Sequence, residues 1–487
     1  MKFITNSPLF EYDIRGLLMA FYPWTKFETD EKAEDAESLS VTFTGDLSEK
    51  QGVCSCRLDF RDGAFSKAKE VHLDLSDRKS AKSLLKRTLY GILSEASGKT
   101  LPWGTLTGIR PTKIPMAMLR EETKDADILR HMTETLLCSE GKAELSLEIA
   151  KRELSLLRGL DTEDGWSLYI GIPFCPTTCL YCSFTSYPID RYKGRISAYL
   201  DALEKELRFT AEAFRGKTLF SVYFGGGTPT ALPAEELDRL LRLVTQLFDL
   251  SHVREWTVEA GRPDSVTEEK LSVMRNYPVT RISVNPQTMH QKTLDLIGRK
   301  HTVEDVLNVY RMARARGFDN INMDLILGLP GETEADVRET IRRVSDLAPD
   351  NVTIHSLAIK RAARLNLMKD VYRNYTMENT DESMAMCREA LRDIGLSPYY
   401  LYRQKNMAGN LENTGYASPG KEGVYNILIM EEVHSIVACG AGATTKRVRH
   451  LPDGDLITRA ENVKNVDLYM ENVEEMIARK KALFFGE

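Results

Sequence analysis

The chain of 487 residues is 42% hydrophobic and 28% charged, with a formal net charge of −6. This is ordinary globular composition. It excludes collagen-like, low-complexity and disordered chains and offers no global field for nucleic acid or anionic lipid. At about 150 residues per domain, the length predicts about three domains.

Residues 1–160 read as an α+β accessory domain. Short alternating strands are predicted at Glu37–Asp46, Gly52–Asp59 and Glu70–Leu75. Ser76 and Asp77 then precede a helix near Ser80–Leu93. LPWGTLTGIRPTK (Leu101–Lys113) reads as an ordered loop, and helices follow near Ala126–Leu137 and Lys142–Arg158. Cys54 and Cys56, two apart on a strand, share a face and read as small buried residues.

From about 161 to 370 short apolar strands alternate with helices. The strands are Ser167–Ile172, Ser221–Gly227, Glu255–Ala260, Thr280–Asn285, Asn320–Pro330 and Asn351–Ala358. Helices are expected near 195–214, 233–248, 267–275, 289–297, 302–316 and 333–346. Six β-α units predict a parallel sheet or barrel, with ligands at the C-terminal strand ends. Residues 371–487 read as a C-terminal α/β extension. It holds a helix near Asp381–Ile394, a strand at Tyr399–Tyr402, a polar loop QKNMAGNLENTGYASPG, a strand at Tyr425–Met430, a Gly-rich turn CGAGATT and a helix near Val466–Lys480.

No apolar run reaches the roughly 18 residues needed to cross a bilayer. MKFITNSPLFEYDIRG has no cationic stretch leading into an apolar core, so no secretory signal is expected. Of eight cysteines, three lie together in GIPFCPTTCLYCSF. Clustered thiols in such a chain predict a reducing, cytoplasmic setting and metal or redox chemistry. Cys175, Cys179 and Cys182, spaced C-x3-C-x2-C just after the first barrel strand, can surround one iron–sulfur cluster from a single loop. With no fourth Cys nearby, one iron of a four-iron cube would stay open to a substrate or cofactor. A zinc site or three structural thiols are the alternatives, although no Cys or His follows at finger spacing.

This loop resembles that of the radical S-adenosylmethionine (SAM) superfamily, whose fold is a partial (β/α)6 barrel. FGGGTPT, TVEAGRPD, RISVNPQT, LIGRKH and DLILGLPGET follow in order. With YIGIPFC they resemble the oxygen-independent coproporphyrinogen III oxidase (HemN-like) family over about Ser167 to Leu357. GIPFCPTTCLYCSFTS, VEAGRPDS, HSLAIKRAA, RQKNMAGNLENTGYASPG and WGTLTGIRPTK resemble its HemZ subgroup.

The resemblance implies a [4Fe-4S] cluster on the three cysteines and SAM chelated at the open iron. Tyr169 would lie beside SAM and Tyr181 near its adenine. Gly226, Gly227 and Thr228 would meet the methionyl ammonium. Glu259 would accept from that ammonium or a ribose hydroxyl, and Gln287 and Arg299 would contact ribose and carboxylate. Asp324 and Ala358 would line the nucleoside. On the residues alone, Glu259 and Asp324 could instead form structural ion pairs, Arg299 could be solvated, and the two tyrosines could be core.

The implied reaction is decarboxylation of two propionates of coproporphyrinogen III to vinyls. A deoxyadenosyl radical abstracts a β-hydrogen, and an electron donor such as a flavodoxin or ferredoxin feeds the cluster. Lys360, Arg361, Arg364, Arg403 and Lys405 are candidate cations for the substrate carboxylates, whereas His355 reads as a core histidine. The chain departs from the family at Gly171, where His is common, and at Ser183 and Phe184, which occupy the positions just beyond the third ligand where the decarboxylases carry a further Cys. Relatives with the C-x-Y-C-x-F form act as haem-binding chaperones. That role, or a radical SAM enzyme acting on another tetrapyrrole, is the alternative.

Overall fold

Segments buried on both faces read as continuous apolar runs, and those predicted from Ser167 onward form one parallel sheet. The computed structural model describes the chain except residues 24, 28–36, 49–51, 161–163, 360–362, 368–374, 378, 405–406, 453 and 487. Its contacts define two units. One is Met1–Lys151 with Leu401–Glu412; the other is Arg152–Tyr400 with Asn413–Glu487.

In the second unit, β1 (Gly165–Ile172), β2 (Thr218–Gly226), β3 (Glu255–Glu259), β4 (Arg281–Ser283), β5 (Ile321–Leu327) and β6 (Asn351–Ser356) lie side by side in chain order, every pair parallel. This is the partial (β/α)6 arrangement. The helices between them match the predicted ones, because their apolar residues recur at helical spacing. Val303–Ala315 buries Val306, Val309, Tyr310 and Ala313, and Glu334–Leu347 buries Val337, Thr340, Ile341 and Val344. Both begin with a capping box, Thr302 with Asp305 and Thr333 with Asp336, which satisfies amides that the first turn leaves open.

The sheet continues past both edges of this core. β7 (Ser397–Tyr402) and β8 (Asn413–Ala417) extend it beside β6, with β8 antiparallel. On the other side β9 (Ser435–Cys439) runs parallel to β1, followed by the hairpin of β10 (Thr444–Leu451) and β11 (Gly454–Glu461). The sequence reading missed β8, hidden in a polar loop, and the hairpin, whose charged residues mask its alternation.

It also assigned a strand to Tyr425–Met430, where the chain forms a helix, Val424–Glu431. A short apolar run has no period that separates the two states. Here tertiary demand decides. The segment must carry the chain from β8, on one side of the six-stranded core, to β9, on the other. It crosses under the N-terminal strand ends, with the Tyr425 amide 3.3 Å from the carboxylate of Glu255, the first residue of β3.

The first unit has a four-stranded sheet of Lys2–Thr5, Glu37–Gly45, Val53–Asp62 and Phe65–Asp74, the first pair parallel and the rest antiparallel. The apolar sides of helices Glu11–Phe21 and Arg78–Ser97 share one core with it, among them Leu17, Leu85 and Leu89 with Phe3, Leu39 and Phe60. Cys54 and Cys56 alternate with exposed neighbours and point into that core, where burial pushes the Cys56 thiol up to about 12.

The Leu101–Lys113 loop is pinned from within this unit. Fully buried Trp103 donates to Glu412, whose other oxygen holds Lys142 at 2.5 Å. Arg403, offered above for substrate carboxylates, belongs to the same cluster. It is 4% exposed, and its terminal nitrogens donate to the carbonyls of Leu106 (2.6 Å) and Asn410 (2.9 Å). Burial lowers it to about 10. It is therefore a tie between loop segments. Lys360, Arg361 and Lys405 lie outside the described residues.

Candidate functional site

The three clustered cysteines follow β1 on a turn held from beyond β2, β3, β4 and β6. The Leu180 amide donates to Ile297 O at 2.9 Å and the Thr177 hydroxyl to Gly298 O at 3.1 Å, both beyond β4. Beyond β6, the Leu365 amide donates to Leu180 O at 2.9 Å. From the end of β2, the Thr228 hydroxyl lies 3.3 Å from Cys175 Sγ. From beyond β3, Arg262 donates to Cys179 Sγ at 3.3 Å. Cys175 and Cys179 are buried and Cys182 half-buried, and none is in a disulfide. Burial pushes the Cys175 thiol up to about 11 and raises Cys182 as well.

Among the described residues, no three His, Cys, Asp or Glu side chains are grouped to hold a single metal ion. Thiolates on three different irons of a cube have no need to converge on one point.

Gly226 and Gly227 let this turn close on the sheet. Gly226 has φ +101, a conformation that L side chains rarely adopt. A Cβ on Gly227 would stand 2.6 Å from Phe174 O and 3.0 Å from Cys175 Sγ. Gly227→Ala must therefore displace the first thiol. We expect at least a tenfold loss in iron retained after anaerobic reconstitution, with helix content unchanged by circular dichroism; wild-type retention would contradict this.

Below the turn, otherwise buried strands each offer a half-buried residue to one lumen: Tyr169 on β1, Tyr223 on β2, Glu259 on β3, Asp324 on β5 and His355 on β6. Glu259 accepts from the hydroxyls of Tyr223 and Ser283. Asp324 accepts from Asn322 at 2.7 Å and faces His355 Nε2 at 3.7 Å. Burial, and then the Asp324 charge, raise the Glu259 carboxyl. Burial acts the same way on Asp324, but His355, Asn322 and Arg281 outweigh it and hold Asp324 below the usual carboxylate range. His355, read as a core histidine, is a lumen group. Tyr169, Tyr223 and Tyr425 stack, the last two at 4.4 Å between ring centroids. Gly225 makes room for them, since a Cβ there would meet the Tyr223 ring at 2.9 Å.

Arg299 is 5% exposed and not solvated. It donates to Asn285 O and, at 3.3 Å, to Gly261 O. The Asn285 side chain in turn accepts from the Asp324 amide at 3.2 Å, linking turn and lumen. Gln287 has φ +67, and its backbone bonds to β5 on both sides of Leu325. Tyr181 lies on the turn between Cys179 and Cys182, and burial raises its phenol. Ala358 stands apart, half-buried just beyond β6.

The residues present fit a cluster with a bound cofactor. Three thiols share one turn beside a Cβ-free strand end. Buried Gln287 Oε1 and Arg299 Nε have no partner among the described residues, and such groups are costly unless something bonds to them. Sequence reasoning gave no role to Arg262, Asp264, His301, Tyr223 or Tyr425. Arg262 and Asp264 could have been found, because they sit inside the quoted VEAGRPDS stretch. Tyr425 could not, because it was placed on a strand.

The profile of the radical SAM superfamily matches residues 169–344. The chain is 40% identical over 406 residues to the oxygen-independent coproporphyrinogen-III oxidase-like protein HemZ of Bacillus subtilis (strain 168), covering 82% of this chain and 81% of that protein. It is 32% identical over 285 residues to the heme chaperone HemW of Lactococcus lactis subsp. lactis (strain IL1403), covering 57% of this chain and 69% of that one. The solved structure of the radical SAM enzyme coproporphyrinogen III oxidase (HemN) from Escherichia coli superposes with a TM-score of 0.51 at 22% identity, over 69% of this chain and 73% of that chain. That likeness bears on the fold.

Proposed function

The chain belongs to the radical SAM superfamily and, within it, to the HemZ-like group of oxygen-independent coproporphyrinogen III oxidase relatives, and from that premise we propose that it oxidatively decarboxylates two propionates of coproporphyrinogen III to the vinyls of protoporphyrinogen IX. Its cofactors are a [4Fe-4S] cluster and SAM. Together these supply, when bound, a radical able to take hydrogen from an unactivated C–H bond.

The chain does the rest. Cys175, Cys179 and Cys182 hold the cluster. Gly226, Gly227 and Thr228 bring backbone polar groups close to the amino acid end of SAM, and Tyr181 borders its adenine. Glu259 and Asp324 are acceptors for its ammonium and ribose hydroxyls, which suits a cofactor carrying a sulfonium. Gln287 Oε1 and Arg299 Nε give it further polar partners. Tyr169 and its stacked neighbours wall the lumen and keep water from the reacting carbon. Ala358 leaves room beside the nucleoside. Arg364, exposed beyond β6, is available to a propionate.

The observation that carries this reading is the line of contacts that runs from the thiol turn to Ile297 and Gly298, on through the adjoining Arg299 and Asn285, and ends on the backbone of Asp324 in the lumen. We place the protein in the cytoplasm, fed by a flavodoxin or ferredoxin. Among the described residues no helix is long and apolar enough to cross a membrane. We also take residues 1–160, 161–370 and 371–487 as its functional divisions.

A haem chaperone is the second reading, favoured by Phe184, two residues past Cys182 and 70% exposed. One experiment separates the two. Protein reconstituted without air is given coproporphyrinogen III, SAM and a reductant, and products are followed by mass spectrometry. Carbon dioxide and protoporphyrinogen IX are expected. Stoichiometric haem binding without product would establish the chaperone instead.

A further inference from the structure

Arg262 is 3% exposed, and all five of its N–H donors are used. Nε and Nη2 grip Asp264 at 2.9 and 2.7 Å. Nη2 also reaches the Thr177 hydroxyl and Nη1 the Thr177 carbonyl, both at 3.0 Å. The remaining donor, on Nη1, points at Cys179 Sγ, 3.3 Å away. Asp264 lies 3.8 Å from Nδ1 of His301, a buried imidazole with neither nitrogen bonded. Among the described residues, no other side-chain cation bonds to one of the three thiols.

We propose that Arg262 is a positioning residue that orients Cys179 and sets the reduction potential of the cluster. This rests on the reading that Cys175, Cys179 and Cys182 hold that cluster. Reduction adds one electron to it, and no bond is made or broken. The added negative charge spreads onto the sulfurs, so a fixed positive charge donating to one of them favours the reduced form. In so dry a site that charge is little screened. Only a guanidinium can span Asp264, both polar atoms of Thr177 and a sulfur at once, because its planar fork directs several donors at fixed angles. Asp264 keeps the fork in register and partly offsets its charge.

A merely structural Arg262 would affect how much cluster is held. A tuning Arg262 affects how easily that cluster is reduced. Wild type, Arg262→Gln and Arg262→Lys are reconstituted without air and without SAM. Iron and sulfide are measured, and the EPR signal of the reduced form is titrated with dithionite through redox mediators.

With iron equal, Arg262→Gln is expected to lower the reduced-to-oxidised ratio at least tenfold at a given potential, 59 mV for one electron. Arg262→Lys should recover part of the shift. Equal iron with unchanged potential overturns this proposal and leaves the cluster reading standing. A wild type that assembles no cluster overturns both. Should the variants lose iron, wild-type protein grown with guanidino-15N arginine decides. A 15N coupling in pulsed EPR of the reduced cluster supports the bond to sulfur, and its absence overturns the proposal.

Discussion

Cys179→Ala is expected to abolish cluster assembly while leaving the fold intact. Iron and sulfide after anaerobic reconstitution should fall to background, and with them SAM binding and the visible absorption of the cluster. A cube held by three thiolates loses a corner when one is removed, and the remaining five cysteines lie outside this turn. The fold should survive, because the turn is tied by bonds that do not involve the sulfur: Leu180 to Ile297, Thr177 to Gly298 and Leu365 to Leu180. Cys56→Ala and Cys439→Ala are the controls. Both thiols are buried and pushed up to about 12 by burial. Neither lies on the turn, and both variants should keep full iron. Iron retained by Cys179→Ala would remove this residue from the site.

The second large effect lies in the packing of the C-terminal segment. Glu206 on helix Ile196–Ala213 is fully buried and accepts four donors: Lys480 Nζ, Asn462 Nδ2 at 2.7 Å, the Tyr469 hydroxyl at 2.6 Å and the Gly440 amide at 2.7 Å. Lys480→Met leaves a carboxylate out of water without its counter-charge. Breaking one side of a buried pair costs about 3–5 kcal/mol. Glu206→Leu should cost more, since it strands an ammonium, an amide, a phenol and a backbone N–H together. For the same reason, the double variant should not recover stability as isolated apolar replacements of a pair can. Urea midpoints of the three variants and wild type measure this; a Lys480→Met midpoint equal to wild type would refute it.

The same variants should weaken the site. Gly440 packs on Gly171, where a Cβ would stand 2.3 Å from Gly171 O, and Gly442 packs as closely on Thr185 just past the cluster turn. The CGAGATT turn thus lies directly against the end of β1, where the cluster turn begins.

Much of the barrel was legible in the residues because its signals are local. A strand buried on both faces must be a short apolar run. A helix packed on it must repeat its apolar residues every three or four positions, and Thr302 and Thr333 announce their helices through bonds within one turn. The thiol spacing needs no fold to be understood, since one turn presents all three sulfurs.

What the chain alone could not reveal depends on partners distant in sequence. Val424–Glu431 carries the composition of a strand and becomes a helix because it must pass beneath the sheet. Arg403 looks like a surface cation beside a polar loop, yet Leu106 and Asn410 enclose it. His355 looks like a core residue until β5 sets Asp324 beside it. Arg262 is one arginine among many until the end of β3 brings it to Cys179. Local bonding and periodicity are properties of neighbouring residues, so the residues alone were enough for the strands and helices of the barrel and for the sulfur turn. The charge around those sulfurs is a property of which strand ends meet, and it exists once the folded chain has brought them together.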